Sequence, residues 1–238
     1  MKRRISGIIV IVVPIMIVLG LAVYAAVTHQ TVIGAFTTSM MGRSPEQKHN
    51  IRLAAESLDG AVIRAGEVFS FNTSSGERLS DRGYVSAPVI VKGKLEDGSG
   101  GGICQVSSTL YNAALLAGMI IVERSPHTTP VSSVPPGRDA TVLFGGADLR
   151  FRNDYEEPVV LEVDASGNRL AVRLTGHIAN KPEYRIVVET DDAVRPVASA
   201  IGSSGTRYHT AVVWREKKVD GKTESRELIS SDTYKTLP

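Results

Sequence analysis

The chain has 238 residues and one cysteine, Cys104, set in Gly100-Gly101-Gly102-Ile103-Cys104-Gln105-Val106-Ser107-Ser108-Thr109-Leu110-Tyr111. A glycine loop running into a helix puts the first side chains at the positive end of the helix dipole, beside unbonded N–H groups. A thiol there is favoured as its thiolate. The N–H groups from Gly101 and Gly102 to Gln105 suit the oxyanion of a tetrahedral intermediate, with the Gln105 amide as a further donor. The glycines let a substrate carbonyl approach the backbone closely. At helical spacing Cys104, Ser107, Ser108 and Tyr111 share one face, and Val106, Leu110, Ala113 and Ala117 the other. The helix is expected to bury its aliphatic stripe and present the thiol with hydroxyls alongside. The competing readings are a cysteine acting as a small buried hydrophobe, and Gln105, Ser107 and Ser108 serving only as caps and local backbone partners.

A cysteine nucleophile needs a base, usually a histidine delivered from another segment. Of five histidines, His127 is the best placed. It follows the helix by a short strand, in a Pro-rich loop (Ser125 to Gly137), and Pro126 restricts the backbone just before it. Asp139, in Gly-Arg-Asp-Ala-Thr, is the first choice to orient the imidazole and Asp148 the second. A packing or capping histidine, and an Asx-turn aspartate after Pro-Pro-Gly, are the alternatives. No metal or cofactor is expected, because one Cys and scattered His lack compact ligand spacing. The glycines also lack the Gly-Lys-Ser/Thr ending of a phosphate loop.

Several elements must position these groups. Ser44-Pro45-Glu46-Gln47 predicts a capped helix start, with Ile51, Leu53, Ala54, Ala55 and Leu58 as its apolar face and Gly60 as its stop. A strand is expected to end at Phe71, followed by a loop over 72–83, a buried strand over Val85 to Val91 and a second loop over Lys92 to Gly102. The Cys104 helix runs to Leu116 and closes at Gly118. Short strands are expected at Met119–Val122, Thr141–Phe144, Leu149–Asn153, Val159–Val163, Leu170–Thr175, Tyr184–Thr190 and His209–Lys217, with turns at 164–168 and 219–222. Helices early and strands late predict a single α+β domain with a mainly antiparallel sheet. The chain is long enough to bury its own core.

Lys2, Arg3 and Arg4 precede an uncharged run from Ile5 to Val27. A bilayer core takes about 20 apolar residues, and basic residues stay on the cytoplasmic side. Residues 5–27 therefore read as one transmembrane anchor at the cell membrane, with 1–4 inside and the main domain extracytoplasmic. Cleavage near Ala25 and Ala26, giving a secreted protein, is the competing reading. Residues 28–44, polar and weakly periodic, read as a linker. A lone thiol outside the cytoplasm is either reactive or intermolecular. Net charge is only +2, from 27 basic and 25 acidic residues, so nothing in the composition suggests a nucleic-acid binder, which normally carries a concentrated basic face.

Gly66-Glu67-Val68-Phe69-Ser70-Phe71-Asn72, Gly83-Tyr84, Ala87-Pro88-Val89-Ile90 and the whole run from Gly100 to Ala113 resemble a VanW domain. So do Glu123-Arg124-Ser125-Pro126-His127, Pro136-Gly137-Arg138-Asp139-Ala140-Thr141 and Asp148-Leu149-Arg150-Phe151-Arg152-Asn153. The resemblance covers roughly residues 45–180, and residues 181–238 form a β-rich C-terminal extension. It implies a role tied to glycopeptide resistance and the cell wall. It further implies L,D-transpeptidase-like acyl transfer on peptidoglycan stem peptides, with Cys104 as nucleophile and His127 in the Pro-His step. Many VanW proteins carry a peptidoglycan-binding-like region before this domain; here the anchor and linker are expected in that place. A non-catalytic module that binds peptidoglycan or a glycopeptide through the same N–H groups is the alternative function.

Overall fold

The computed structural model describes residues 30–91, 94–179, 181–191 and 208–235. They form a mixed α+β fold with few helices and antiparallel strand pairs throughout. The expected anchor over 5–27 lies outside the described residues, and no helix among those described is long and apolar enough to cross a membrane.

At the centre is the helix that carries the cysteine, α3 (Ile103–Leu116). Strand β1 (Thr31–Ser39) joins β9 (Arg169–Gly176), β8 (Val159–Asp164) and β2 (Val62–Ile63) in a four-stranded sheet of order β1-β9-β8-β2. Helix α3 packs on β1 and β9, and α1 (Pro45–Leu58) packs on both α3 and β8. The expected cap of α1 is present: Gln47 N–H donates to Ser44 Oγ at 3.2 Å, Ser44 N–H donates to Gln47 Oε1 at 3.2 Å, and Pro45 takes the first turn. A second sheet, β3-β7-β6, is built from Val68–Ser70, Arg150–Arg152 and Ile120–Glu123. Phe69 and Phe151 stack across it with ring centroids 4.9 Å apart.

Four expectations need correction. The linker over 28–44 contains β1, which pairs with β9 along its length. Its alternation is broken by a register shift between Val32 and Gly34, so Ile33 and Gly34 are buried consecutively. The shift presses Gly34 onto α3, where an added Cβ would stand 2.3 Å from the Ala117 amide nitrogen. Residues 94–99, read as loop, form β5 (Lys94–Ser99), the partner of β4 (Ser86–Val91) in a two-stranded ribbon in which Ser86 is exposed. The strand expected to end at Phe71 is two short strands, β2 and β3, and Phe71 opens the short helix α2 (Phe71–Ser75). Residues 141–144 form no strand; Thr141 makes one isolated bridge to Ser125.

Residues 183–191 and 208–235 add a third sheet of β10 (Glu183–Asp191), β11 (Tyr208–Val219) and β12 (Lys222–Lys235). It is joined to the rest: the Arg215 guanidinium, 5% exposed, donates to the Met119 carbonyl at 2.7 Å just beyond α3.

Candidate active site

Cys104 lies in the first turn of α3, and Gly102 is the N-cap with φ 101°, a left-handed conformation that favours glycine. The cause of the glycine run differs from the expected one. A Cβ on Gly102 would stand 2.9 Å from the Gln47 carbonyl oxygen in α1, and one on Gly101 2.7 Å from the Pro88 carbonyl oxygen in β4. It is the chain's own backbone, not a substrate, that approaches these glycines. Ile103 N–H and Gln105 N–H bond to the Gly100 and Gly102 carbonyls at 3.1 and 3.0 Å. With those two amides engaged, the Gly101, Gly102 and Cys104 amides are this turn's candidate oxyanion donors.

The expected two-faced helix is buried all round. Ser107, Ser108 and Tyr111 are fully buried, so they are not presented to a substrate beside the thiol. Ser107 Oγ donates to the Ala140 carbonyl at 2.6 Å, and Ser108 Oγ donates to the Cys104 carbonyl at 2.6 Å. Ala140 N–H in turn donates to Ser108 Oγ at 3.0 Å. The two serines therefore tie the segment after Asp139 to the turn holding Cys104. Tyr111 lies beneath the Arg124 guanidinium, 5.3 Å from its ring centroid, and burial pushes its hydroxyl up to about 12. Gln105 is no oxyanion donor either: its amide donates to Thr38 Oγ1 and the Ser39 carbonyl at 3.0 and 2.9 Å, and its Oε1 accepts from Arg43 Nε at 2.7 Å. That side chain locks β1 to α3.

His127 and Asp139 do converge on Cys104. The His127 imidazole is close enough to the thiol for the two groups to influence each other's protonation. Its Nδ1 lies 2.6 Å from Asp139 Oδ2, and its backbone N–H donates to the same oxygen at 2.7 Å. With Nδ1 engaged by the carboxylate, Nε2 is the nitrogen left for sulfur. Cys104 is partly exposed, and Sγ lies 3.7 Å from the Val142 carbonyl oxygen. Burial acts to raise the Cys104 thiol, but the adjacent His127, with help from Val142 and Arg78, outweighs it and holds the thiol below its ordinary value. Burial acts to lower His127, but the adjacent Asp139 and Cys104 prevail and push it up to about 9. Both shifts act in the same sense, toward a thiolate–imidazolium pair with a carboxylate behind it. This arrangement can deliver a nucleophile and then return a proton to a leaving group.

Asp148, the second choice, serves elsewhere: it accepts from Ser70 Oγ at 2.6 Å and from the Asn72 and Leu149 amides at 2.9 and 2.8 Å. Three further residues join the site that sequence spacing did not indicate. Arg124 donates from Nε to the Asp139 carbonyl at 2.6 Å, from Nη2 to Asp139 Oδ1 at 3.1 Å and from Nη1 to Asp232 at 2.6 Å. Tyr234, from β12, meets the same Oδ1 at 2.5 Å. Arg78 stacks its guanidinium between Phe71 and Phe144, with its stem against Gly100. Arg124 stands in the Glu-Arg-Ser-Pro-His run and Arg78 in a polar loop; neither position carries a periodic signal. Phe144 and Leu143 are exposed apolar side chains beyond Val142. No cluster of three or more potential metal ligands occurs among the described residues.

Comparisons with known proteins agree with this segment. The uncharacterized protein YoaR of Bacillus subtilis (strain 168) is 47% identical over 142 residues, covering 60% of this chain and 47% of its own. The vancomycin B-type resistance protein VanW of Enterococcus faecalis (strain ATCC 700802 / V583) is 38% identical over 112 residues, covering 45% of this chain and 41% of its own. The chain thus spans less than half the length of these curated relatives. No solved structure matches it. The family model described as VanW like protein matches residues 46–175, just over half of the chain and the whole of the Cys104–His127–Asp139 arrangement, so the chain belongs to the VanW family.

Proposed function

We propose that this chain is a cysteine-dependent acyltransferase of the cell wall, acting as an L,D-transpeptidase on peptidoglycan stem peptides. The observation that carries the reading is the convergence of Cys104, at the start of a buried helix, with a His127 hydrogen-bonded to Asp139. Family membership, and the name of the Enterococcus faecalis relative as a vancomycin resistance protein, support the cell wall as the setting. The segment over 5–27 would hold the domain at the outer face of the membrane, where such stems lie.

In this reading the Cys104 thiolate attacks the carbonyl between the L-centre of the third residue and the terminal D-alanine of a tetrapeptide stem. A C–S bond forms, and the oxygen takes the negative charge near the Cys104 amide. The C–N bond then breaks, and D-alanine leaves with the proton from His127. An amine of a neighbouring stem attacks the thioester, gives its proton to His127, and restores the thiolate–imidazolium pair. Water in place of the amine gives trimming. Asp139 holds the imidazole in one tautomer throughout.

The test is to incubate the purified full-length chain, in detergent, with tetrapeptide muropeptides and to follow D-alanine release and dimer formation. Wild type should yield both, and Cys104→Ala neither. Binding of the muropeptides without turnover, equal in wild type and Cys104→Ala, would instead assign the chain to the accessory binding modules.

A further inference from the structure

Asp139 uses its two oxygens differently. Oδ2 is committed to His127 through the ring and the backbone N–H. Oδ1 faces the third sheet, where it meets the Tyr234 hydroxyl at 2.5 Å, and it also accepts from Arg124 Nη2, just after β6, at 3.1 Å. The direction of the first bond is fixed by the other partner of that hydroxyl. Gly137 N–H donates to Tyr234 Oη at 2.7 Å, so the single phenolic proton is free to go to the carboxylate. Tyr234 is fully buried, and burial with the adjacent carboxylate raises its hydroxyl, which stays a donor at neutral pH.

Strand β12 also grips the histidine loop. Lys235 N–H donates to the Thr128 carbonyl at 2.7 Å, one residue past His127. Gly137, at φ 80°, sits where a Cβ would stand 2.4 Å from Val213 of β11. Asp232, two residues before Tyr234, takes one arm of Arg124 at 2.6 Å, so that guanidinium is shared between two carboxylates. All of these contacts come from beyond residue 175, outside the matched family segment.

We propose that Tyr234 is a positioning residue of the site: its hydroxyl fixes the plane of the Asp139 carboxylate so that Oδ2 stays on His127, and the C-terminal sheet is thereby a working part of the catalytic apparatus. This rests on the acyltransferase reading of Cys104 and His127. Two consequences of losing the hydroxyl have opposite signs. A carboxylate with one donor fewer is a stronger base, which draws the His127 proton and lowers the thiolate midpoint. A carboxylate free to turn loses its hold on the imidazole, which raises that midpoint. The proposal requires the second to win.

The experiment measures the pH profile of Cys104 alkylation by iodoacetamide in the full-length chain for wild type, Tyr234→Phe, His127→Ala and Leu161→Ala, the last a buried change in β8 that lowers stability away from the site. Tyr234→Phe should raise the midpoint and slow alkylation at pH 6 by on the order of 3- to 10-fold, the factor one hydrogen bond is worth. Leu161→Ala should leave the profile in place. A Tyr234→Phe profile that overlies wild type or moves down, or a Leu161→Ala profile that moves as far, overturns the proposal. If His127→Ala still moves the midpoint, the Cys–His reading survives that failure; if it does not, that reading falls as well.

Discussion

Replacing His127 by alanine removes the imidazolium that outweighs burial at Cys104. With the His127 contribution gone, burial is opposed only by the smaller effects of Val142 and Arg78. Even a thiol at the ordinary free value of about 8.5 is ionised only about one part in three hundred at pH 6. In wild type His127 keeps its proton up to about pH 9 and favours the thiolate beside it. The ratio of thiolate populations at pH 6 therefore has a ceiling of about 300, reached by a fully ionised wild type. A low-pKa thiolate is intrinsically less nucleophilic, which takes back part of that factor. The net expectation is roughly 10- to 100-fold slower alkylation of His127→Ala at pH 6, with the two proteins converging above pH 9. The assay is intact-mass detection of one carbamidomethyl group over time in the full-length chain, from pH 5 to pH 10. Equal rates at pH 6, or an inert Cys104 in both proteins, would refute the paired-charge account.

Asp139→Asn breaks a buried ion pair and should cost about 3–5 kcal/mol at pH 7 by urea denaturation. Burial acts to raise Asp139, but its bonds to His127 and Tyr234 and the Arg124 charge prevail, so its folded value is depressed. Its contribution is therefore present above the ordinary carboxylate range and lost as pH falls through the folded value, so the gap between wild type and Asp139→Asn should narrow below about pH 4. Gly34→Ala should destabilise by at least about 1–3 kcal/mol, since the new Cβ meets the α3 backbone and the bulged strand must shift. Ser108→Ala leaves the buried Ala140 N–H without its acceptor, a loss of about 1–3 kcal/mol, read as a lower Tm.

The sequence was informative where chemistry and local geometry coincide. Ser44, Pro45 and Gln47 mark a helix start because a cap is a four-residue event, and the cap is there. Cys104, His127 and Asp139 were legible because only one thiol exists and the His and Asp follow it in restricted loops. Other features depend on contacts that spacing does not carry. The bulge at Gly34 hid β1, because two adjacent residues point inward and spoil the alternation. The helix face with Ser107, Ser108 and Tyr111 read as open because it is polar; in the structure those groups bond the backbone around Ala140 or stack under Arg124. Gln105 read as a site donor because it follows the cysteine, yet on a helix the next residue points about 100° away, here toward β1. Tyr234 joins from 95 positions beyond Asp139, a distance over which no local pattern operates.

The most direct test of the central claim is intact-mass analysis of the full-length chain quenched in acid within seconds of mixing with a tetrapeptide stem. The account predicts an adduct equal to the stem less one D-alanine, mapped to Cys104 and discharged by hydroxylamine or an acceptor amine. It should be absent in Cys104→Ala and sharply reduced in His127→Ala. Release of D-alanine with no adduct at Cys104, or release that persists in Cys104→Ala, would contradict the account.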